Sequence, residues 1–372
     1  MMRNNVEMIE FNCTGYLRLI LMLFVCFWAF GCPEPTGFVR LLSGFAVPAY
    51  FILSGYYVLE NKREERIEKT LRKIKRTALC FVIVFLFYVA INVFVIFRYH
   101  LTLEISKRIL FEFFVMNIWP LPIGDNIWFI QSMLYAYIII FIADKLKLMR
   151  YYKIFLVVLF IVMILTGELA GAIRFNIFGY PYIPGNWLTR ALPYILIGRL
   201  LREKKRALMK VQFWKYLIAF VVGGGLVLLE CMILSWLGVL GYQAHMLGFG
   251  IMAVALCGLA ISIPIGRPNR IVHFDSAISG LIYVFMNPIY YAIAMFFKLS
   301  KPFFVDLLGG PAALLISFFL ALILCGTPLG KIYYTNWDMR LADAVVVDDD
   351  DDDDEPLRPN MPPVRGPRID PD

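Results

Sequence analysis

Apolar runs long enough to cross a bilayer recur along nearly the whole of this 372-residue chain, and no other feature restricts its fold so severely. A spanning helix needs roughly 20 mostly apolar residues, because each adds about 1.5 Å of rise and every backbone polar group in hydrocarbon must find a partner within its own element. Ten such runs can be placed, over 15–31, 41–59, 77–97, 127–143, 154–172, 191–201, 214–236, 246–265, 277–297 and 307–326. The sixth is short and needs residues from 180–190 to span. With 60% hydrophobic and only 17% charged residues, the composition exceeds what a water-facing surface tolerates. The chain therefore reads as an all-α polytopic bundle of about ten transmembrane helices over 1–344. Residues 345–372, an acidic and Pro-rich stretch with almost nothing to bury, read as a disordered cytoplasmic tail.

Charge tests the count independently, because Lys and Arg accumulate in short cytoplasmic loops. With the N-terminus inside, the inner connections 61–76 (NKREERIEKTLRKIKR), 144–153 (DKLKLMRYYK), 202–210 (REKKRALMK) and 266–270 (GRPNR) are all basic. The outer connections, such as 175–187 and 237–245, are rich in Gly, Pro and aromatics. Both termini are expected in the cytoplasm. The net charge of +8 combines a tail of ten acids and three bases, −7, with +15 on the remainder. That excess is scattered among loops, which suits topology and anionic headgroups and argues against nucleic acid.

Within the basic loop, Ile67, Leu71 and Ile74 stand at helical spacing and predict a short amphipathic helix over 62–76 on the inner leaflet. Residues 110–117 (LFEFFVMN) are too few to span and predict an interfacial or re-entrant segment. Seven cysteines without pair spacing give neither a disulfide framework nor a metal site. No 20–50-residue period recurs, and the halves lack the similarity common in carriers.

Charged groups inside apolar runs cost a few kcal/mol and mark candidate sites. Arg18 lies near the inner end of the first run, Glu168 and Glu230 toward the outer ends of the fifth and seventh, and Arg190 opens the sixth. Arg199 is close enough to the surface to snorkel. The histidines, His100, His245 and His273, all fall outside the helix interiors. A general base therefore has to come from His245 or from a carboxylate, of which Glu230 is the deepest.

The segment VPAYFILSGYYV (47–58), followed by the basic loop, resembles a stretch of the membrane-bound acyltransferase 3 family. There a proline and aromatics precede a Ser-Gly pair, and Pro48, Phe51, Ser54, Gly55 and Tyr56 fit. NIWFIQSMLYAY (126–137), TRALPYILIGRLL (189–201) and SGLIYVFMNP (279–288) resemble later stretches in the same order, so that the likeness covers residues 12 to about 330. The resemblance implies transfer of an acyl group from cytoplasmic acyl-CoA, a co-substrate with no tightly bound cofactor, to a hydroxyl of a cell-envelope carbohydrate or lipid-linked acceptor. It places Arg18, Ser54, Gly55, Tyr56 and Arg190 at the donor. The two histidines usual in the family fall on Ala29 and Met286, which cannot accept a proton, leaving Glu230 and His245 as substitutes. A second reading is therefore a catalytically degenerate relative acting as a carbohydrate or lipid transporter or as a scaffold. Packing of small residues competes with catalysis as the reason for Ser54–Gly55.

Overall fold

The structure is a computed structural model and describes residues 11–30, 37–100, 106–124, 126–168, 186–238, 246–265, 275–297, 302–325 and 327. The acidic tail, His245 and His273 lie outside the described residues. The fold is helical, as expected: α1 is Thr14–Phe30, α2 Phe38–Leu42, α3 Ala46–Val58, α4 Arg63–Tyr99, α5 Lys107–Phe114, α6 Ile127–Lys145, α7 Tyr152–Met163, α8 Leu192–Glu203, α9 Lys205–Met209, α10 Phe213–Trp236, α11 Leu247–Ser262, α12 Asp275–Phe297 and α13 Pro302–Leu324. A two-residue antiparallel ladder, β1 (Phe11–Asn12) with β2 (Pro264–Ile265), ties the start of α1 to the end of α11.

Six stretches among the described residues are long and apolar enough to cross a membrane: Phe38–Val58, Arg63–Tyr99, Ile127–Lys145, Leu148–Thr166, Phe213–Trp236 and Ala277–Phe297. Thr14–Phe30, Leu247–Ser262 and Leu308–Leu324 are shorter apolar helices, and α8 falls in neither group. The chain is an integral membrane protein whose outer faces, such as Phe213, Leu217, Val221 and Met232 on α10, are exposed and apolar.

The expected surface helix over 62–76 is instead the first third of α4, which runs unbroken for 37 residues. No Gly or Pro interrupts 63–99, and Glu64 and Glu65 in its first turn suit the positive end of the helix dipole. The interfacial segment expected at 110–117 contains the end of α5, which Ser106 caps by accepting from the Ile109 N–H at 3.3 Å.

The centre of the bundle is the crossing of α3 and α8. A Cβ added to Gly55 would lie 2.0 Å from the Ile195 carbonyl oxygen, and one added to Gly198 2.1 Å from that of Ile52. The two backbones therefore touch directly, which only glycine on both helices permits. α10 and α11 meet in the same way, with a Cβ on Gly248 falling 2.4 Å from the Gly223 oxygen.

One end of the bundle gathers the basic segments into an ion network. Arg66 donates Nε and Nη2 to the two carboxylate oxygens of Asp144 at 2.8 and 2.7 Å, with both side chains buried. Its Nη1 donates to the carbonyls of Glu60 and Asn61. Glu60 pairs with Lys69 and Arg202, and Arg202 also donates to the Tyr56 carbonyl at 2.8 Å. Glu203, just past the apolar part of α8, accepts from the Tyr152 hydroxyl and from Arg199 Nε. Burial alone would raise the Glu203 carboxyl, but the Tyr152 hydrogen bond and the charges of Arg199 and Lys153 hold it below the ordinary carboxylate range. Adjacent helix ends are thus fixed by charge at this basic end of the bundle.

Two outcomes are expected in thermal unfolding of the purified chain in detergent. Gly198→Ala should lose about 2 kcal/mol or more by overpacking, whereas Gly225→Ala, whose Cβ meets nothing within 4 Å, should lose nothing. Asp144→Leu should cost about 3–5 kcal/mol by stranding buried Arg66, and adding Arg66→Met should restore most of that loss.

Candidate functional site

Between α1, α3, α4, α6 and α12 lies a cavity of about 160 Å³. Its cations come from two helices: Arg18 from the second turn of α1, and Lys73 and Arg76, three residues apart, from the basic third of α4. Helical spacing places Thr77 and Cys80 next along the same face of α4, and both line the cavity. Ser54 and Tyr57 of α3, Met133 of α6 and Ser279 and Tyr283 of α12 complete its polar and soft lining. Among the described lining residues none is a carboxylate, so the charge facing this space is positive and suited to an anion.

The polar walls contributed by α1 and α3 are held in place. The Arg18 guanidinium stacks 4.4 Å from the centroid of the Tyr57 ring, and the Tyr57 hydroxyl is bonded to Thr14. The Tyr50 hydroxyl donates to the Arg18 carbonyl, tying α3 to α1. Ser54 donates to Met133 Sδ at 3.3 Å and lies 2.6 Å from the Tyr137 hydroxyl, which donates to it in turn. A serine so engaged is a positioned polar group, with no neighbouring base in that arrangement to make it a nucleophile.

Arg18 and Ser54, named from the sequence, therefore share one cavity, and Lys73 and Arg76 join them. The sequence signal for these two was available in the spacing of bases along 62–76, but reading that segment as a separate surface helix hid it. Gly55 and Tyr56 do not line the cavity. Gly55 is the point of contact with α8, and Tyr56, fully buried, has Arg202 bonded to its carbonyl. Arg190 is buried in a π-turn, Trp187–Ala191, at the start of α8, with its guanidinium 5.5 Å from the Trp128 ring centroid, and it too is not a lining residue.

Of the substitute bases, Glu230 is buried on α10 and accepts from the backbone N–H groups of Leu247 (3.1 Å) and Gly248 (3.3 Å), which open α11. It thus caps a neighbouring helix and neutralises its orphan donors. Of the two positions where the resemblance expects histidine, Met286 is packed in the core at 1% exposure. Ala29 is exposed and continues the stripe Arg18, Met22, Val25 of α1 by one further turn.

No curated protein and no solved structure matches the chain. The family model described as an acyltransferase domain matches residues 13–327, which is 315 of the 372 residues and takes in every wall of the cavity. The chain belongs to the acyltransferase 3 family of membrane acyltransferases.

Proposed function

We propose that the protein transfers an acyl group from acyl-CoA, arriving at the basic end, to a hydroxyl of a cell-envelope carbohydrate or lipid-linked acceptor. The cavity carries this reading: Arg18, Lys73 and Arg76 converge on one space with no lining carboxylate, as a phosphate-bearing donor requires. In the transfer the acceptor oxygen bonds to the acyl carbon, the thioester C–S bond breaks, and the hydroxyl proton ends on the CoA sulfur. The apolar part of the cavity, Met22, Val25 and Leu53, would receive the acyl chain.

The reading includes ten crossings, both termini in the cytoplasm and residence in a bacterial inner membrane. It is supported by the gathering of 61–76, 144–153 and 202–210 at one end of the bundle. Reporters fused after Arg76 and Lys153 should read cytoplasmic and one after Asn117 external; an external reading after Arg76 would reverse the orientation.

A second reading, a degenerate relative that transports a carbohydrate or lipid or serves as a scaffold, is favoured by one observation. Neither Ala29 nor Met286 can take the acceptor proton, and Glu230 is occupied as a cap. Transfer of labelled acyl from acyl-CoA by the purified chain separates the readings. Transfer by the parent supports the enzyme, while transfer only after Ala29→His identifies the degenerate relative.

The donor site has its own test in titration calorimetry with CoA. Arg18→Gln and Arg76→Gln should each weaken binding about tenfold, the loss of one charge-assisted hydrogen bond. Unchanged affinity in both would remove the cavity as the donor site.

A further inference from the structure

One turn beyond the cavity, away from the basic end, three polar residues are locked in a fixed pattern. Asn126, just before α6, donates its side-chain amide to the Tyr283 carbonyl, and the Tyr283 hydroxyl donates back to the Asn126 carbonyl at 2.7 Å. Because that carbonyl can only accept, the Asn126 side chain has to place Nδ2 there and turn Oδ1 the other way. Asn287 Nδ2 donates to this Oδ1 at 3.2 Å. The reverse orientation of Asn287 would set two acceptor oxygens against each other, so the network itself assigns both amides. Asn287 Oδ1 is what remains: buried on a residue 5% exposed, and without a hydrogen-bond partner.

A buried amide oxygen left unpaired costs about 1–3 kcal/mol, a cost that a water or a ligand group bonded to it would remove. Tyr283, Phe129 and Ile130 line the cavity; Asn287 on α12 and Asn126 at the cap of α6 are not lining residues but stand one helical turn beyond them. Phe30 stacks on Tyr290 at 4.2 Å while Arg18 and Ser279 share the cavity, so α1 and α12 run parallel and in step. Asn287 is thereby brought within about a turn of the height of Ala29, beyond the cations and apolar wall that would hold a donor.

We propose that Asn287, oriented by Asn126 and Tyr283, is the binding point for a hydroxyl group of a neutral polyol or sugar approaching from the end opposite the basic loops. An amide oxygen accepts a hydrogen bond from a hydroxyl and repels an anion, the reverse of the preference at Arg18, Lys73 and Arg76. Asn287 is a positioning residue here: it orients the hydroxyl oxygen toward the cavity and takes no proton. This inference rests on the acceptor being a hydroxyl compound, as proposed above.

The test uses the full chain in lipid nanodiscs and saturation-transfer NMR with methyl β-glucoside and its fully O-methylated derivative, which has no hydroxyl to donate. The parent should bind the first and not the second. Asn287→Leu should weaken glucoside binding at least fivefold and leave CoA affinity unchanged; should that variant not fold, Asn287→Ala is read in the same way. Unaltered glucoside affinity in the variant overturns the proposal, as does a parent that binds both sugars alike or neither, which would leave the amide oxygen to water alone. Unchanged CoA affinity in both Arg18→Gln and Arg76→Gln would remove the donor reading and leave the Asn287 result standing.

Discussion

The arrangement of the bundle depends on one contact between backbones, that of α3 with α8 at Gly55 and Gly198. In lipid, helices gain little from burying apolar side chains against each other, so close approach and hydrogen bonding have to hold them together. With no Cβ on either side, α3 comes near enough to α8 for Arg202, one turn after Gly198, to bond the Tyr56 carbonyl and pair with Glu60. The glycines set the separation and the ion network at the basic end fixes the register. The residue just before Gly55 is turned from the crossing by about 100°, which places Ser54 against Met133 and Tyr137 of α6. The Ser-Gly pair is therefore one device with two faces: glycine joins α8 and serine joins α6 at the cavity wall.

The same frame explains how three cations are tolerated within the bundle. Lys73 and Arg76 ride on a helix whose base is anchored by the buried Arg66–Asp144 pair, two turns before Lys73. Continuity of α4 matters because a hinge at residue 76 would let both side chains swing out to the headgroups, where cations of a basic loop are most comfortable. Held in an unbroken helix opposite Arg18, they face a shared space. The Tyr57 ring under Arg18 spreads part of its charge without neutralising it.

The helical class, the family and most helix positions were legible in the sequence because apolar length and order along the chain are one-dimensional properties. Arg18 and Ser54 were legible as neighbours, since antiparallel helices joined by a short connection bring early and late residues to one level. The joining of 62–76 to α4 was missed because amphipathic spacing marks a helical face without saying whether the helix stops; the absence of a Gly or Pro through 63–99 was the better signal. The role of Gly55 was open between packing and donor contact, and its distance to the Ile195 carbonyl gives the glycine a packing reason. Glu230 illustrates the limit most sharply. A deep carboxylate marks an unusual demand for negative charge, and composition cannot distinguish a substrate's proton from the bare N-terminus of α11 as the source of that demand.

The chemistry left to the site follows from where acids and bases are absent. Among the described residues around the cavity, charge is positive and hydroxyls are phenolic or aliphatic, while the amides one turn beyond it, Asn126 and Asn287, are committed by their network to orientation. Such a site can hold an anion, seat an acyl chain and align a hydroxyl, all of which reduce a bimolecular reaction to one between neighbours. What it lacks at Ala29 and Met286 is a group to take a proton at the moment of attack. Positioning without a base is compatible with both proposed readings, the transferase and the degenerate transporter or scaffold. The step that divides the two readings proposed above is the proton's passage from the acceptor to the sulfur.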